Sequence, residues 1–459
     1  MASKSKRARI APVRNLNKTF LYWAIAVFVV KLMIIFNIQG GNIEVSGRPF
    51  FLDGIWLGAD GENYLRGYDA LIREGLFSKE FFLYYWPAGY PIVIQFLSLL
   101  GKSWVLTTLS ILQSLIFSYA VYFFAVELTK TRLKKFSYLT LLIVLFNPTL
   151  SLSSIAVGYE SLTASGLLIC FGLVIKSFIA RNNQKFLKYL VINSVIFGAL
   201  SFIQPRLLLT GLIINLAWII VWKGLRTSVL FIALSLIITF FFPASLMYRN
   251  SQAIGFNSIS TNLGVTMNIG AGDNATGGYA KDGYGVECDL SGNEAQQDNQ
   301  RVRCVLNWYA NNPLKAAELF YNKSIYFWSP WYGPLANGTM ARNPWLTITP
   351  LKNMTKTQEG FNLVNGGFGK IISWLWVLGG LALLFYGYMT LLRQNSFERF
   401  IGNLAMAAIS VNWLITIFTI GDHRFRIPIM GLTLFLQAIG IKTLLQGGKP
   451  PLVDGPSLR

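Results

Sequence analysis

Long uninterrupted apolar runs alternate along this chain with short clusters of lysine and arginine. A helix needs about 17 to 25 mostly apolar residues to cross a bilayer, whereas the strands of a membrane barrel alternate in polarity at every second residue. Runs near residues 19 to 38, 103 to 128, 136 to 150, 158 to 178, 186 to 203, 207 to 222, 227 to 247, 371 to 392, 400 to 420 and 427 to 445 predict an all-α polytopic membrane protein of about ten transmembrane helices. Residues 90 to 100, set among Pro87, Pro91 and Gly101, are apolar but too few to cross, which predicts an interfacial or re-entrant helix. No small-residue cleavage site follows the first run, so it is expected to stay as a helix.

The polar stretches divide the chain into a basic tail (1 to 18), a transmembrane module (19 to 247) containing a first loop (39 to 102), a long loop or small subdomain (248 to 370), C-terminal transmembrane helices (371 to 445) and a second tail (446 to 459). Within the long loop, the glycine- and asparagine-rich residues 270 to 278 predict turns, and Asn312 followed by Pro313 predicts the capped start of a short helix. No internal repeat is visible, so the inverted-repeat pattern of many secondary transporters is missing.

With 53% apolar and 13% charged residues, the chain is too hydrophobic for an ordinary soluble domain. In a soluble protein the net charge of +20 would point to nucleic acid; here the placement of the charges points to topology, and no nucleic-acid partner is implied. Lys4, Lys6, Arg7, Arg9, Arg14 and Lys18 precede the first run, and further basic clusters lie at 130 to 135, 176 to 188, 223 to 226 and 393 to 399. Seventeen of the twenty acids fall on the other side of the runs, all but Glu127, Glu398 and Asp454. Short loops rich in Lys and Arg stay inside, so both termini are expected in the cytoplasm of a plasma (inner) membrane and both polar loops outside it. Cys170 lies in an apolar run, whereas an outside location permits a disulfide between Cys288 and Cys304.

The densest candidate chemistry lies in the first loop, where Asp60 and Glu62 stand at the start of an amphipathic helix. Carboxylates there either cap the helix or act as a general base toward an acceptor hydroxyl or amine. The two could also share a divalent cation, although a pair of carboxylates is a weak signal for one. Glu160, at the outer end of a span, is either an interfacial residue turned to water or a functional carboxylate. Arg206, Arg424 and Arg426 start two spans on the same side; they either snorkel or hold a lipid phosphate, which matches the guanidinium fork in charge and geometry. His423 is the single histidine and has no second His or Cys near it, so no zinc site is supported. Lys31, inside the first run, is expected to snorkel or to pair within the bundle. Neither a Walker loop nor a serine- or zinc-hydrolase motif is present.

A set of loose motifs in a fixed order resembles the GT-C superfamily of membrane glycosyltransferases, in the branch of protein O-mannosyltransferases and aminoarabinose transferases. The motifs are Asp60-Gly-Glu-Asn-Tyr64, Tyr85-Trp-Pro-Ala-Gly-Tyr-Pro91, Asn147-Pro148, the Glu160 segment, Gln204-Pro-Arg206, Asn268-Ile-Gly-Ala-Gly272 and Arg424-Phe-Arg-Ile-Pro428. The chain has Trp86-Pro-Ala where Pro-Pro is common in that family, and its long loop is not a MIR-type domain. The resemblance implies a GT-C-like bundle and an inverting transfer of a hexosyl or pentosyl group from a polyprenyl-phosphate-linked sugar. The acceptor would be a protein, lipid or cell-envelope glycan at the extracytoplasmic membrane surface. It also implies Asp60 as base, with Glu62 as a neighbour able to share that role, and Arg206, Arg424, Arg426, Glu160, His423 and Tyr64 around the donor and its lipid phosphate. The competing reading is a transporter or flippase of a lipid-linked or anionic solute, which would place its polar groups near the bilayer midplane rather than at one face.

Overall fold

The computed structural model describes residues 13–37, 42–45, 48–51, 56–57, 60–278, 285–329 and 367–447. The first twelve residues of the basic tail, residues 330 to 366 of the long loop and the C-terminal tail from 448 lie outside the described residues. Among those described, eight helices are long and apolar enough to cross a membrane, which makes this a multi-pass membrane protein.

The first of them is α1 (Val13–Asn37). Beyond it, β1 (Asn42–Val45) and β2 (Arg48–Phe51) form an antiparallel hairpin that pairs Asn42 with Phe51. The short β3 (Trp56–Leu57) then runs parallel to a later strand, β4 (Ala156–Val157). That pairing matters for the site, because it brings the chain just before Asp60 beside the chain just before Glu160.

Helix α2 (Gly61–Glu74) is amphipathic, with Tyr64, Leu65, Tyr68 and Leu71 buried at helical spacing and Glu62 and Arg73 on the solvent side. A 3-10 turn at Phe81–Leu83 leads to α3 (Gly89–Ser98), the short helix expected from the 90 to 100 run. Gly89 lets α3 close on the end of a neighbouring helix, since a Cβ there would lie 1.9 Å from the Phe202 carbonyl oxygen.

The bundle continues with α4 (Val105–Thr129), α5 (Lys134–Leu145), α6 (Pro148–Ser153), α7 (Glu160–Ala180), α8 (Asn183–Ile203), α9 (Leu207–Lys223) and α10 (Val229–Ile254). The expected span at 136 to 150 is not one helix. Proline lacks an N–H and forces the residue before it out of the helical region, so the chain breaks at Asn147, whose side chain accepts from Leu150 N and caps α6. Val105 packs with Tyr64 and Tyr159, so α4 starts at the site end of the bundle. Its 25 residues carry the chain ~38 Å away, and α5, α6 and the residues between them make the return. Helix α9 is also short, at 17 residues, yet it runs between the two ends of α8: it follows Ile203 closely, and its Lys223 donates to Asn183 at 3.0 Å.

The long loop holds α11 (Leu263–Ile269), α12 (Glu294–Asn311) and α13 (Pro313–Trp328). Asn293 and Gln296 close a capping box at the start of α12, and the Asp298 carboxylate accepts from Gly264 N at 2.7 Å, docking α12 on α11. The expected helix after Asn312 is present, but the Asn312 side chain turns back and donates to the Trp308 carbonyl instead of capping α13. Residues 270 to 278 form turns and bends, as their composition predicts. Cys288 and Cys304 are joined as a disulfide.

Three helices complete the chain: α14 (Gly367–Leu392), α15 (Ser396–Phe418) and α16 (Ile427–Leu445). The centre of the bundle lies between α4, α7 and α16, where Phe124 meets Phe435 edge to face at 5.3 Å. Some polar side chains inside it bond to one another, as where Asn193 donates to Asn215 at 2.7 Å.

Candidate functional site

The start of α2, the start of α7 and a 3-10 turn at His423–Arg426 meet at one end of the bundle. Arg424 lies at their junction: its Nη1 is 3.0 Å from Asp60 Oδ2 and its Nε is 4.0 Å from Glu160 Oε1. Arg424 and Glu160 are buried, whereas the Asp60 side chain keeps 25% of its surface open to solvent. The capping reading of Asp60 does not hold, because its carboxylate makes no bond to the N–H groups of α2 and turns to the guanidinium instead. A carboxylate held on one side by a cation and open on the other is geometrically able to take a proton from a hydroxyl or amine.

The turn that presents Arg424 is held from several directions. Asp422 caps it by accepting from Arg424 N at 2.7 Å, and His423 Nδ1 lies 3.5 Å from the same carboxylate oxygen. Asn412 on α15 donates to the Phe425 carbonyl at 2.6 Å. Arg206 stacks its guanidinium over the Phe425 ring at 3.8 Å, a cation–π contact that contributes about 1 kcal/mol. Arg426 points elsewhere: its Nη1 donates to the Trp328 carbonyl at 2.7 Å and the Phe327 carbonyl at 3.2 Å.

Three tyrosines line the buried side of this junction. Tyr64 meets Tyr90 edge to face at 5.0 Å and Tyr159 at 6.2 Å. Burial pushes the Tyr64 phenol well above its ordinary range, the charges of Asp60 and Glu160 push it the same way, and Arg424 opposes them. Tyr90 donates to Gln113 at 3.1 Å and accepts from Gly158 N at 2.9 Å, which anchors the strand-to-helix link just before Glu160. Burial raises the Tyr90 phenol as well, so both rings stay neutral at working pH.

Of the residues singled out from the sequence, Asp60, Glu160, Arg424, Arg206 and Tyr64 come together, and His423 lies beside them. Glu62 does not join them. Two residues along a helix is a turn of about 200°, which carries Glu62 to the solvent face, where it pairs with Arg66 at 2.5 Å. Arg66 in turn lies over the Phe82 ring at 5.1 Å. Asp60 and Glu62 thus each hold a separate guanidinium, and among the described residues no group of three or more His, Cys, Asp or Glu is placed to hold a metal ion. Lys31 is buried within the bundle, donating to Ser154 at 2.9 Å with Phe117 at 3.9 Å. Tyr90 and Asp422 have no role assigned from sequence, although Tyr90 lies within the Tyr85 to Pro91 motif and Asp422 lies just before the Arg424 to Pro428 motif.

No family model matches this chain, and no curated protein matches its sequence. Among solved structures it is similar to the Archaeoglobus fulgidus oligosaccharyltransferase in the apo form, with a TM-score of 0.47 at 12% identity over 93% of this chain and 51% of that one. It is also similar to the archaeal oligosaccharyltransferase AglB of the same organism in complex with an inhibitory peptide and a dolichol-phosphate, with a TM-score of 0.46 at 13% identity over 93% and 51%. For the same organism's oligosaccharyltransferase in complex with Zn and sulfate, the TM-score is 0.45 at 11% identity over 92% and 49%. This chain spans about half the length of those proteins.

Proposed function

We propose that this protein is an integral-membrane glycosyltransferase that moves a sugar, with inversion, from a polyprenyl-phosphate donor to an acceptor at the extracytoplasmic face. The observation that supports it most is the meeting of Asp60 and Glu160 on one buried arginine, Arg424, from three elements far apart in sequence. A polyprenyl-phosphate sugar carries an activated anomeric carbon. Transfer then needs a base for the incoming nucleophile and positive charge for the departing phosphate.

In this reading Asp60, the one carboxylate of the cluster with an open side, takes the proton of the acceptor hydroxyl or amine as its oxygen or nitrogen bonds to the anomeric carbon. The bond from that carbon to the phosphate oxygen breaks on the opposite face, and its electron pair stays with the phosphate. Arg424, with Arg206 beside it on Phe425, supplies the positive charge. Glu160 keeps Arg424 aimed, and the neutral tyrosines close the buried side. Arg426, bonded to two carbonyls, is not assigned to the phosphate. The basic clusters in the short loops support a cytoplasmic location for both termini and an outside location for this end of the bundle.

The test is sugar transfer from radiolabelled polyprenyl-phosphate sugars in membranes carrying the native protein or Asp60→Asn. Transfer by the native protein that drops at least ~100-fold in the variant supports the assignment. Transfer at the native rate by Asp60→Asn overturns the role of Asp60.

A further inference from the structure

The turn that carries Arg424 is tied to the long outer loop by two buried cations that reach in opposite directions. Lys323, on α13, donates from Nζ to the Thr419 carbonyl at 2.7 Å, just past the last residue of α15. Arg426, just before α16, donates to the Phe327 and Trp328 carbonyls at the last turn of α13. The final carbonyls of a helix lack partners within it and carry its partial negative charge. Each cation therefore caps the C-terminal end of the helix on the other side.

The space between them is closed. Gly421 N donates to the Gly277 carbonyl at 2.8 Å. A Cβ on Gly421 would come within 2.7 Å of Lys323 Cα, and one on Gly270 within 2.4 Å of the Thr419 carbonyl oxygen and 3.1 Å of Lys323 Nζ. Lys323 is fully buried, its second partner is the Tyr309 hydroxyl at 2.7 Å, and among the described residues no carboxylate pairs with it. A buried ammonium with no counter-ion is costly, and its place here follows from the carbonyl it satisfies. Ser324 adds a third tie, accepting from Trp413 on α15 at 3.2 Å.

We infer that Lys323 and Arg426 are positioning residues that lock α13 of the outer loop against the 419–426 segment, so that Arg424 is placed between Asp60 and Glu160 by the outer loop as well as by the membrane bundle. Neither touches Asp60 or Glu160 through any bond described above; both act through the backbone on either side of Arg424. The effect on transfer rests on the glycosyltransferase reading. The lock itself does not.

Two measurements on the full chain in nanodiscs separate the two. In Lys323→Met, which keeps the length of the side chain and removes its donors, amide hydrogen exchange should speed up at least tenfold in 419–426 and at the end of α13, with α7 unchanged. Arg426→Gln should loosen the same two segments from the other side, and Arg426→Lys should restore part of the protection. In the transfer assay both variants should lose ~10- to 100-fold in kcat with the KM for donor nearly kept, as expected when a catalytic group is displaced by an ångström or less. Native exchange rates at 419–426 in both variants would overturn the lock. If exchange rises throughout one variant because it fails to fold, the other decides. If exchange rises locally while no native transfer is seen with any donor, the lock stands and the glycosyltransferase reading falls.

Discussion

Arg424 bridges Asp60 and Glu160, 3.0 Å from the first and 4.0 Å from the second, and the two carboxylates differ in their access to water. Glu160 is enclosed with the arginine, whereas Asp60 faces the solvent-accessible edge. In the proposed reading this difference gives two residues of the same chemical type separate roles, Asp60 as the base and Glu160 as the group that holds Arg424.

Asp60→Asn should lower sugar transfer by ~100- to 10,000-fold, the size of a general-base contribution, with donor binding largely kept. Glu62→Gln should transfer at close to the native rate, because it breaks only an exposed pair with Arg66 that contributes about 0.3 to 0.5 kcal/mol. Labelled donor lipid bound and turned over by each variant in nanodiscs checks both. Loss of activity in Glu62→Gln alone would reverse the assignment.

Arg424→Ala leaves the Glu160 carboxyl buried without its partner and should destabilise the fold by about 1 to 3 kcal/mol. Adding Glu160→Gln removes the titrating group left without a partner and should recover part of the lost stability without recovering transfer. Unfolding midpoints of the single and double variants in detergent, set beside their transfer rates, test the pairing. A double variant no more stable than Arg424→Ala would contradict it.

Sidedness has a direct readout. Thiols introduced near Gly61 and Gly277, at the exposed Glu62 and Thr276, should react with an impermeant reagent in intact cells, and one at Arg181 should not, since α7 carries the chain from Glu160 to the opposite end. Labelling at 181 from outside would overturn the topology together with the proposed active-site face.

Burial holds the Lys323 ammonium down to about 7, from an ordinary 10.5. Its neighbours Tyr309, whose phenol burial pushes up, and the Thr419 carbonyl offer no negative charge. Between these two values the unfolded chain binds a proton that the folded one does not, so stability should rise with pH across that window. The stabilising term is complete above 10.5, drains away as pH falls toward about 7, and changes no further below it. Lys323→Met should flatten this part of the stability profile. An unchanged slope from pH 7 to 10 in that variant would mean that Lys323 is not its source.

The sequence by itself determined the features that depend on neighbours along the chain. Apolar run length marked the helices, the basic clusters set an expected sidedness, and the spacing of Tyr64, Leu65, Tyr68 and Leu71 shaped the amphipathic α2. Hydropathy read through Asn147-Pro148, where backbone chemistry did not, and α5 ends short for that reason. Tertiary structure alone decided which charged groups meet. Asp60 and Glu62 are two residues apart and indistinguishable by composition, yet the rotation of α2 and the packing of Arg424 give one to the buried junction and the other to solvent. The same holds for Arg424 and Arg426, which share a motif but reach a carboxylate pair and a helix end respectively. Lys323 carried no sequence signal and Tyr90 none beyond its place in the Tyr85 to Pro91 motif, because a hydrogen bond to a distant carbonyl or amide depends on distances that exist only once the helices have packed.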